Sequence, residues 1–211
     1  MSFADLLAMP GVEERVVLAG QLGFLAFHGG LEGGTEMIAS AAAEQSGASL
    51  YSVVQPPSLR WHIPSHQVVA SASEALGRFL AHVEVAIAVH GYGRVDRPTD
   101  ILLGGSNREL AALLATHLRA ALDGFSIIDD LEEIPGNIRG LHPHNPVNRP
   151  PRGGVQLELP PRARGTTARW SDAGATCTPT AGLVEALSAT ATHWQGSEAP
   201  PRAGETPGSG A

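Results

Sequence analysis

The sequence from residue 22 to residue 36 reads LGFLAFHGGLEGGTE, in which an apolar run is followed by glycines and then by a helix-forming segment. The apolar run at 22–27 is typical of a buried strand, and Gly29-Gly30 is typical of the tight loop that ends one. The alanine-rich residues 35–45 favour a helix, and a glycine follows where such a helix stops. This stretch therefore predicts a strand, a loop and a helix in succession.

The same alternation continues along the chain. Pairs that match capping boxes, Ser71 with Glu74 and Ser106 with Glu109, precede two further helical patterns. A proline-rich and asparagine-rich stretch at 134–154 predicts a long functional loop. We expect strands at 22–27, 49–54, 83–89, 100–103, 125–128 and 155–159, and helices at 35–45, 71–82, 106–122 and 180–194. Such alternation predicts a single-domain, layered α/β/α fold with a mixed, largely parallel sheet.

Length and composition place further bounds on the chain. Its 211 residues, 43% of them apolar, suffice for one core and one domain. We expect that domain to span residues 1–194, with a disordered tail rich in glycine and proline at 195–211. No apolar run approaches the roughly 18 residues of a membrane span, and the N-terminus lacks the basic start of a signal peptide. The prediction is a cytoplasmic protein, whose single cysteine, Cys177, excludes an internal disulfide.

The charge distribution is uneven. A net charge of −7 argues against binding to nucleic acid or to an anionic membrane. Between Arg139 and Arg169, however, Glu158 is the only acidic residue. That window contains six arginines: Arg139, Arg149, Arg152, Arg162, Arg164 and Arg169. This distribution predicts a local anion-binding site in an otherwise acidic protein.

Two histidines stand at the ends of predicted strands. His28 follows the strand at 22–27, His90 follows the strand at 83–89, and a glycine comes after each. In open α/β sheets, ligands bind at the carboxyl ends of the strands. Glu32 lies four residues after His28, and because Gly29-Gly30 disfavours a helix, a loop must bring the two together. Catalytic zinc takes three imidazole or carboxylate ligands and leaves a position for water, and His28, Glu32 and His90 supply such a set.

The remaining histidines offer weaker alternatives. His62 and His66 form a rival pair, but Pro64 lies between them and no acidic partner is near in sequence. His142 and His144 belong to the long loop and would line a cleft. His82, His117 and His193 fall within helical patterns, where surface or packing positions are the simplest interpretation.

Four blocks of sequence resemble the poly-gamma-glutamate hydrolase family, which is similar in fold to zinc carboxypeptidases. The blocks are HGGLEGGTE at 28–36, AVHG at 88–91, NPVNR at 145–149 and GGVQLELP at 153–160. The last block is the most specific, and the resemblance is colinear over about 23–194. It implies a zinc-dependent hydrolase with a carboxypeptidase-like fold.

The resemblance also implies roles for individual residues. The zinc ligands carry over onto His28, Glu32 and His90, and the general base onto Glu158. The loop before the ligand glutamate is shorter here than in the family, so Glu36 remains an alternative to Glu32.

Substrate recognition is implied for the arginine-rich part of the chain. Asn148 and Arg149 resemble the carboxylate clamp of carboxypeptidase-like enzymes, and Arg139 is a weaker candidate. The expected function is cleavage of gamma-glutamyl bonds in poly-gamma-glutamate or another anionic polymer or peptide. The alternatives are an amidase acting on cell-wall peptides and a non-catalytic protein that binds an anionic ligand. The sequence makes no prediction of the oligomeric state.

Overall fold

The computed structural model describes residues 2–166 and 178–197, so Cys177, Arg169 and the predicted tail beyond residue 197 lie outside the described residues. The described strands are β1 (Glu13–Val17), β2 (Leu22–Gly29), β3 (Ser49–Val54), β4 (Val85–Gly91), β5 (Asp100–Gly104), β6 (Ser126–Ile128) and β7 (Gly154–Leu159). The described helices are α1 (Phe3–Leu7), α2 (Thr35–Ser46), α3 (Glu74–His82), α4 (Arg108–Ala121), α5 (Pro161–Arg164) and α6 (Leu183–Ser197). Short 3₁₀ turns occur at Ser65–Gln67, Ala70–Ala72, Gly136–Ile138 and Pro146–Asn148.

Seven strands form one mixed sheet in the order β1-β3-β2-β4-β7-β5-β6. The central strands β3, β2, β4 and β7 are parallel neighbours. Two antiparallel pairings, β1 with β3 and β5 with β7, flank this block, and β6 pairs with β5 in parallel. The parallel block places the carboxyl ends of β2, β4 and β7 at one edge of the sheet.

Apolar side chains on both faces of the sheet build the core. On one face, alternate residues of the central strands, among them Leu22, Ile87 and Leu157, pack with α2, α4 and α6. On the other face, Leu25, Ala88 and their neighbours pack with α1, α3 and the loop around Ile63. The layered α/β/α fold and the mixed, largely parallel sheet are therefore confirmed.

Several local predictions were wrong. The edge strand β1 was missed because its residues are mostly exposed and lack a continuous apolar pattern. Ser71 lies inside a 3₁₀ turn, and Ser73 caps α3 by accepting a hydrogen bond from the Leu76 amide at 2.9 Å. Asn107 caps α4 in place of Ser106, because its side chain accepts from the Leu110 amide at 2.8 Å.

Helix α6 passes the predicted end of the domain. It runs to Ser197, so residues 195–197 are helical rather than part of a disordered tail. No helix in the described residues is long and apolar enough to cross a membrane.

Candidate metal centre and active site

Three strand ends converge on one site. His28 is the penultimate residue of β2, His90 is the penultimate residue of β4, and Glu158 lies near the end of β7. His90 and Glu158 are direct partners in the register of β4 and β7. All three side chains are buried. The parallel block of the sheet thus brings the predicted ligands and the predicted base to the same edge.

An irregularity in β2 directs the first ligand. The register of β2 against β3 shifts between Ala26 and Gly29, because β2 contains one residue more than its partner there. Phe27 packs in the core on the α3 side of the sheet, and the next side chain, His28, also reaches that side by bonding to the carbonyl of Ile63. Strict alternation would have placed consecutive side chains on opposite faces.

A tight turn brings the carboxylate back over the first histidine. The Glu32 amide donates to the His28 carbonyl at 2.9 Å, which closes a single i to i+4 turn. Gly30 has a φ of +76°, and a Cβ atom there would lie 2.1 Å from the carbonyl oxygen of Gln55. This geometry requires a glycine at position 30. The turn brings Glu32 close to His28, as one turn of a helix would otherwise do.

Glu32 lies between the two histidines. Its Oε1 is 3.0 Å from Nδ1 of His28, and its Oε2 is 3.4 Å from Nδ1 of His90. The amide of Gly91 donates to the same Oε2 at 2.9 Å. One ligand atom from each of the three residues falls within 4.8 Å of the others, and all three residues are buried. This is a donor set that would hold a divalent metal ion.

The outer hydrogen bonds fit metal binding. Nε2 of His28 is 2.8 Å from the Ile63 carbonyl and donates to it, so Nδ1, which faces Glu32, is the ring nitrogen placed to bind a metal. Metal-bound histidines usually donate their other ring nitrogen in this way. Nε2 of His90 has no hydrogen-bond partner within the described residues. The residues present therefore fit a metal, with His28 oriented for it by the backbone.

Electrostatics keep the carboxylate of this group ionised. Burial opposes the charge of Glu32, but the nearby imidazoles of His28 and His90 more than offset it and hold its pKa well below the usual range. Burial likewise opposes the charge of His28, and Glu32 outweighs that effect and raises its pKa. An ionised carboxylate between two imidazoles is the state that a metal cation requires.

Glu158 has the opposite electrostatic environment. Burial, together with repulsion from Glu32, raises its pKa to about 7 in spite of attraction to His90. Its Oε1 accepts a hydrogen bond from Nε2 of Gln156 at 2.8 Å, and Oε1 of Gln156 accepts one from Asn145 at 2.7 Å. These amides fix the orientation of a carboxyl group that titrates near neutrality, which suits proton transfer.

A buried arginine ties the surrounding loops together. Arg164, which ends α5, is only 1% exposed. Its guanidinium donates to the carbonyls of Gly33 at 2.7 Å, Leu159 at 3.2 Å and Tyr92 at 3.4 Å. These three carbonyls follow Glu32, Glu158 and His90 by one or two residues. The guanidinium therefore holds the three loops that carry the site.

The site opens into a cavity of about 490 Å³. Its wall includes the metal-binding group, Glu158 and several loop residues, among them His62, His66, Arg94, Asn137 and His142. Arg94, from the loop after β4, donates to Oδ1 of Asn137 at 2.9 Å. No other arginine belongs to this wall among the described residues. Sequence reasoning missed Arg94 because it lies outside the arginine-rich window; its position four residues after His90 was the available signal.

The predicted substrate-binding residues lie elsewhere. Arg139 bonds to the Ile134 carbonyl at 2.7 Å and lies 3.5 Å from a carboxylate oxygen of Glu132. Asn148 donates to the carbonyls of Gly140 and His142 and so braces the long loop. Arg149 lines a second cavity of about 340 Å³.

The other arginines of the window are also dispersed. Arg152 stacks on the ring of Trp194 at 4.5 Å, and Arg162 lies over the ring of Phe125 at 5.2 Å. The described arginines of this window therefore do not converge on one site, because they lie in the long loop and on α5 with different partners.

The alternative ligands take other positions. Glu36 lies in the first turn of α2, outside the group formed by His28, Glu32 and His90. The ring of His62 lies 4.7 Å from that of His28, so His62 borders the metal-binding group. Burial lowers the pKa of His62, which keeps its imidazole neutral.

Comparison with known proteins agrees with this architecture. A bacteriophage poly-gamma-glutamate hydrolase superposes with a TM-score of 0.68 at 24% identity, over 92% of this chain and 95% of that chain. A structure named YNDL-apo (Zinc-free) superposes with a TM-score of 0.67 at 22% identity, over 87% of this chain and 88% of that chain. A metallo-carboxypeptidase from Burkholderia cenocepacia superposes with a TM-score of 0.54 at 9% identity, over 92% of this chain and 68% of that chain. No curated protein matches the sequence.

These observations define an α/β protein with a carboxypeptidase-like fold and a candidate metal centre of two histidines and one glutamate. The model of one family, poly-gamma-glutamate hydrolase, matches residues 5–172. The chain belongs to this family, as its sequence blocks predicted, and membership supports a hydrolase that acts on amide bonds of a polymer.

Proposed function

We propose that this protein is a zinc-dependent hydrolase that cleaves gamma-glutamyl bonds in poly-gamma-glutamate or a related carboxylate-rich substrate. The observation that carries the proposal is the placement of Glu158. In a member of this hydrolase family, it is buried beside the His28, Glu32 and His90 group in the wall of one cavity. A metal site with an adjacent carboxyl group of raised pKa is the arrangement that hydrolysis of an amide needs.

His28, Glu32 and His90 are the residues that would hold the zinc ion. When bound, zinc would polarise the substrate carbonyl and lower the pKa of a water molecule. The cavity wall leaves one side of this group open to substrate. Glu32 is the proposed carboxylate ligand rather than Glu36, because only Glu32 lies between the two imidazoles.

Glu158 is the proposed general base and acid. Its carboxylate accepts the proton of the attacking water and then delivers that proton to the nitrogen of the leaving amine. Gln156 holds one carboxylate oxygen by a hydrogen bond of 2.8 Å. Since this amide is itself fixed by Asn145, the carboxyl group is oriented before the substrate arrives.

Arg94 is the proposed anchor for the substrate carboxylate nearest the cleaved bond. It is the arginine in the described wall of the cavity, and a guanidinium donates two parallel hydrogen bonds to a carboxylate. Arg94→Lys keeps the charge but loses the paired N–H donors of the guanidinium. We therefore expect KM for a short gamma-glutamyl peptide to rise about tenfold, which corresponds to a loss of about 1.4 kcal/mol of binding free energy. Steady-state kinetics would check this, and an unchanged KM would remove Arg94 from the proposal.

The direct test is hydrolysis of poly-gamma-glutamate by the purified protein, with and without a chelator. We expect release of shorter glutamate chains, loss of activity on chelation, recovery with zinc, and about one zinc per chain by elemental analysis. A panel of alpha-linked glutamyl peptides and cell-wall peptides separates the proposed substrate from the alternative amidase. Polymer binding without cleavage of any amide would favour the non-catalytic alternative and refute the proposal.

The metal site has its own test. Glu32→Gln should weaken zinc binding at least tenfold, whereas Glu36→Gln should leave it unchanged, as measured by competition with a chromophoric chelator. The opposite result would assign the ligand role to Glu36.

A further inference from the structure

Three exposed imidazoles form a row beside the cavity. The ring centroids of His66 and His142 are 4.8 Å apart, and those of His142 and His144 are 5.3 Å apart. All three residues are exposed. His142 and His144 belong to the long loop, and His66 belongs to the 3₁₀ turn at Ser65–Gln67. We call these three residues the histidine row.

The histidine row joins two cavities. Its first two members, His66 and His142, line the cavity that contains the candidate metal centre. Its last member, His144, lines the second cavity together with Arg149 and apolar residues such as Val69 and Leu80. The described lining of the second cavity contains no carboxylate. The histidine row therefore supplies hydrogen-bond donors between the main cavity and Arg149, on the side where the described lining has no carboxylate.

The loop that carries the histidine row is braced. The side chain of Asn148 donates to the carbonyls of Gly140 at 2.6 Å and His142 at 3.1 Å. The Asn145 amide donates to the same His142 carbonyl at 2.9 Å, and the His144 amide donates to Nδ1 of His142 at 3.1 Å. The loop backbone and the ring of His142 are thus held in place before any ligand binds, which reduces the entropy lost on binding.

We propose that the histidine row and Arg149 bind carboxylates of an anionic polymer at positions remote from the bond that is cleaved. This inference rests on the proposed function, in which the substrate carries one free carboxylate per residue. A neutral imidazole donates one N–H hydrogen bond to a carboxylate, and the guanidinium of Arg149 donates two. Arg94 serves the carboxylate inside the cavity, and the row extends recognition along the chain.

The consequence is a dependence on substrate length. The row contacts neither Glu158 nor the metal-binding group in the described hydrogen bonds and ring contacts, so it contributes equally to substrate and transition-state binding. Interactions of that kind change KM and leave kcat unaltered. A dipeptide held in the main cavity does not reach Arg149, whereas a long polymer does.

The test compares long poly-gamma-glutamate with a gamma-glutamyl dipeptide. The variants are His66→Gln, His142→Gln and His144→Gln combined, and Arg149→Gln alone. We expect the triple variant to raise KM for the polymer about tenfold and Arg149→Gln to raise it severalfold, with kcat unchanged. Kinetics of Arg149→Gln on the dipeptide should match the unmodified protein, because Arg149 does not line the main cavity. His193→Gln, an exposed histidine on α6 on the other side of the sheet, is the matched control and should change neither value.

A second measurement does not depend on turnover. Polymer binding to chelator-treated protein, followed by isothermal titration calorimetry, should weaken in the same variants by the same factor. Polymer KM that is unchanged in the triple variant, or equal losses of Arg149→Gln on polymer and dipeptide, would overturn this inference while leaving the proposed function intact. Absence of gamma-glutamyl hydrolysis in the unmodified protein would instead refute the proposed function.

Discussion

Glu158 is the residue whose chemistry is set most sharply by its surroundings. The carboxyl group is 4% exposed and held by Gln156, next to a cluster whose own carboxylate, Glu32, is kept ionised by histidines. Two acids at one edge of the sheet thus have pKa values displaced in opposite directions. Such a division is typical of sites in which one group binds a cation and the other transfers a proton.

Glu158→Gln should abolish turnover and preserve the metal. The amide retains the shape of the side chain but cannot accept the proton of water, so we expect kcat to fall by about 10²–10⁴-fold. Zinc content should equal that of the unmodified protein, because the three ligands are untouched. Activity within tenfold of the unmodified protein would show that another group is the base.

Glu158 also predicts a pH dependence of stability in the metal-free protein. Its folded pKa of about 7 lies above the ordinary value of 4.5, so between these values the folded chain retains a proton that the unfolded chain releases. The free energy of unfolding should therefore decrease as pH rises across this window. Urea denaturation of chelator-treated protein should show a flatter profile for Glu158→Gln. If the free energy of unfolding changed with pH equally in Glu158→Gln and in the unmodified protein, the raised pKa of Glu158 would be contradicted.

At the scale of elements, the strands with continuous apolar sequence were predictable, since a parallel strand buried on both faces needs no alternation. Their order was not, because the sequence does not state which strands are neighbours. The wrong helix caps have a local reason: Ser71 and Ser106 match the spacing rule, but a 3₁₀ turn moves the first cap by two residues, and Asn107 is an equally good cap one residue later.

The loops around the site depend on Arg164. Arg164→Lys supplies a single ammonium in place of a planar fork, so we expect zinc affinity to fall about tenfold, as measured by chelator competition. Arg108→Lys is the matched control, because Arg108 also donates to backbone carbonyls, those of Gly104, Gly105 and Asp129. A similar loss of zinc affinity in both variants would indicate general destabilisation rather than positioning by Arg164.

At the scale of the whole molecule, zinc should stabilise the fold. A ligand that binds only the folded chain at 100 times its Kd adds about 2.7 kcal/mol. For a chain of this length that corresponds to a rise in Tm of roughly 5–11 °C. Differential scanning calorimetry with and without zinc would measure it, and Glu32→Gln should remove most of the shift. An equal rise in that variant would place the bound metal elsewhere.

The sequence by itself determined the family and the fold class, and it predicted the residues of the candidate centre apart from the choice between Glu32 and Glu36. It could do so because the strand ends, the glycines after them and the Gly-Val-Gln-Leu-Glu-Leu block are local patterns. Tertiary structure alone decided which arginine and histidine side chains line the cavity. Arginines that are close in sequence separate when the loops and the helix that carry them diverge, whereas Arg94 and His142 line one cavity although 48 positions separate them in sequence. Local chemistry can be read along the chain, but the convergence of loops at a sheet edge depends on strand order and register.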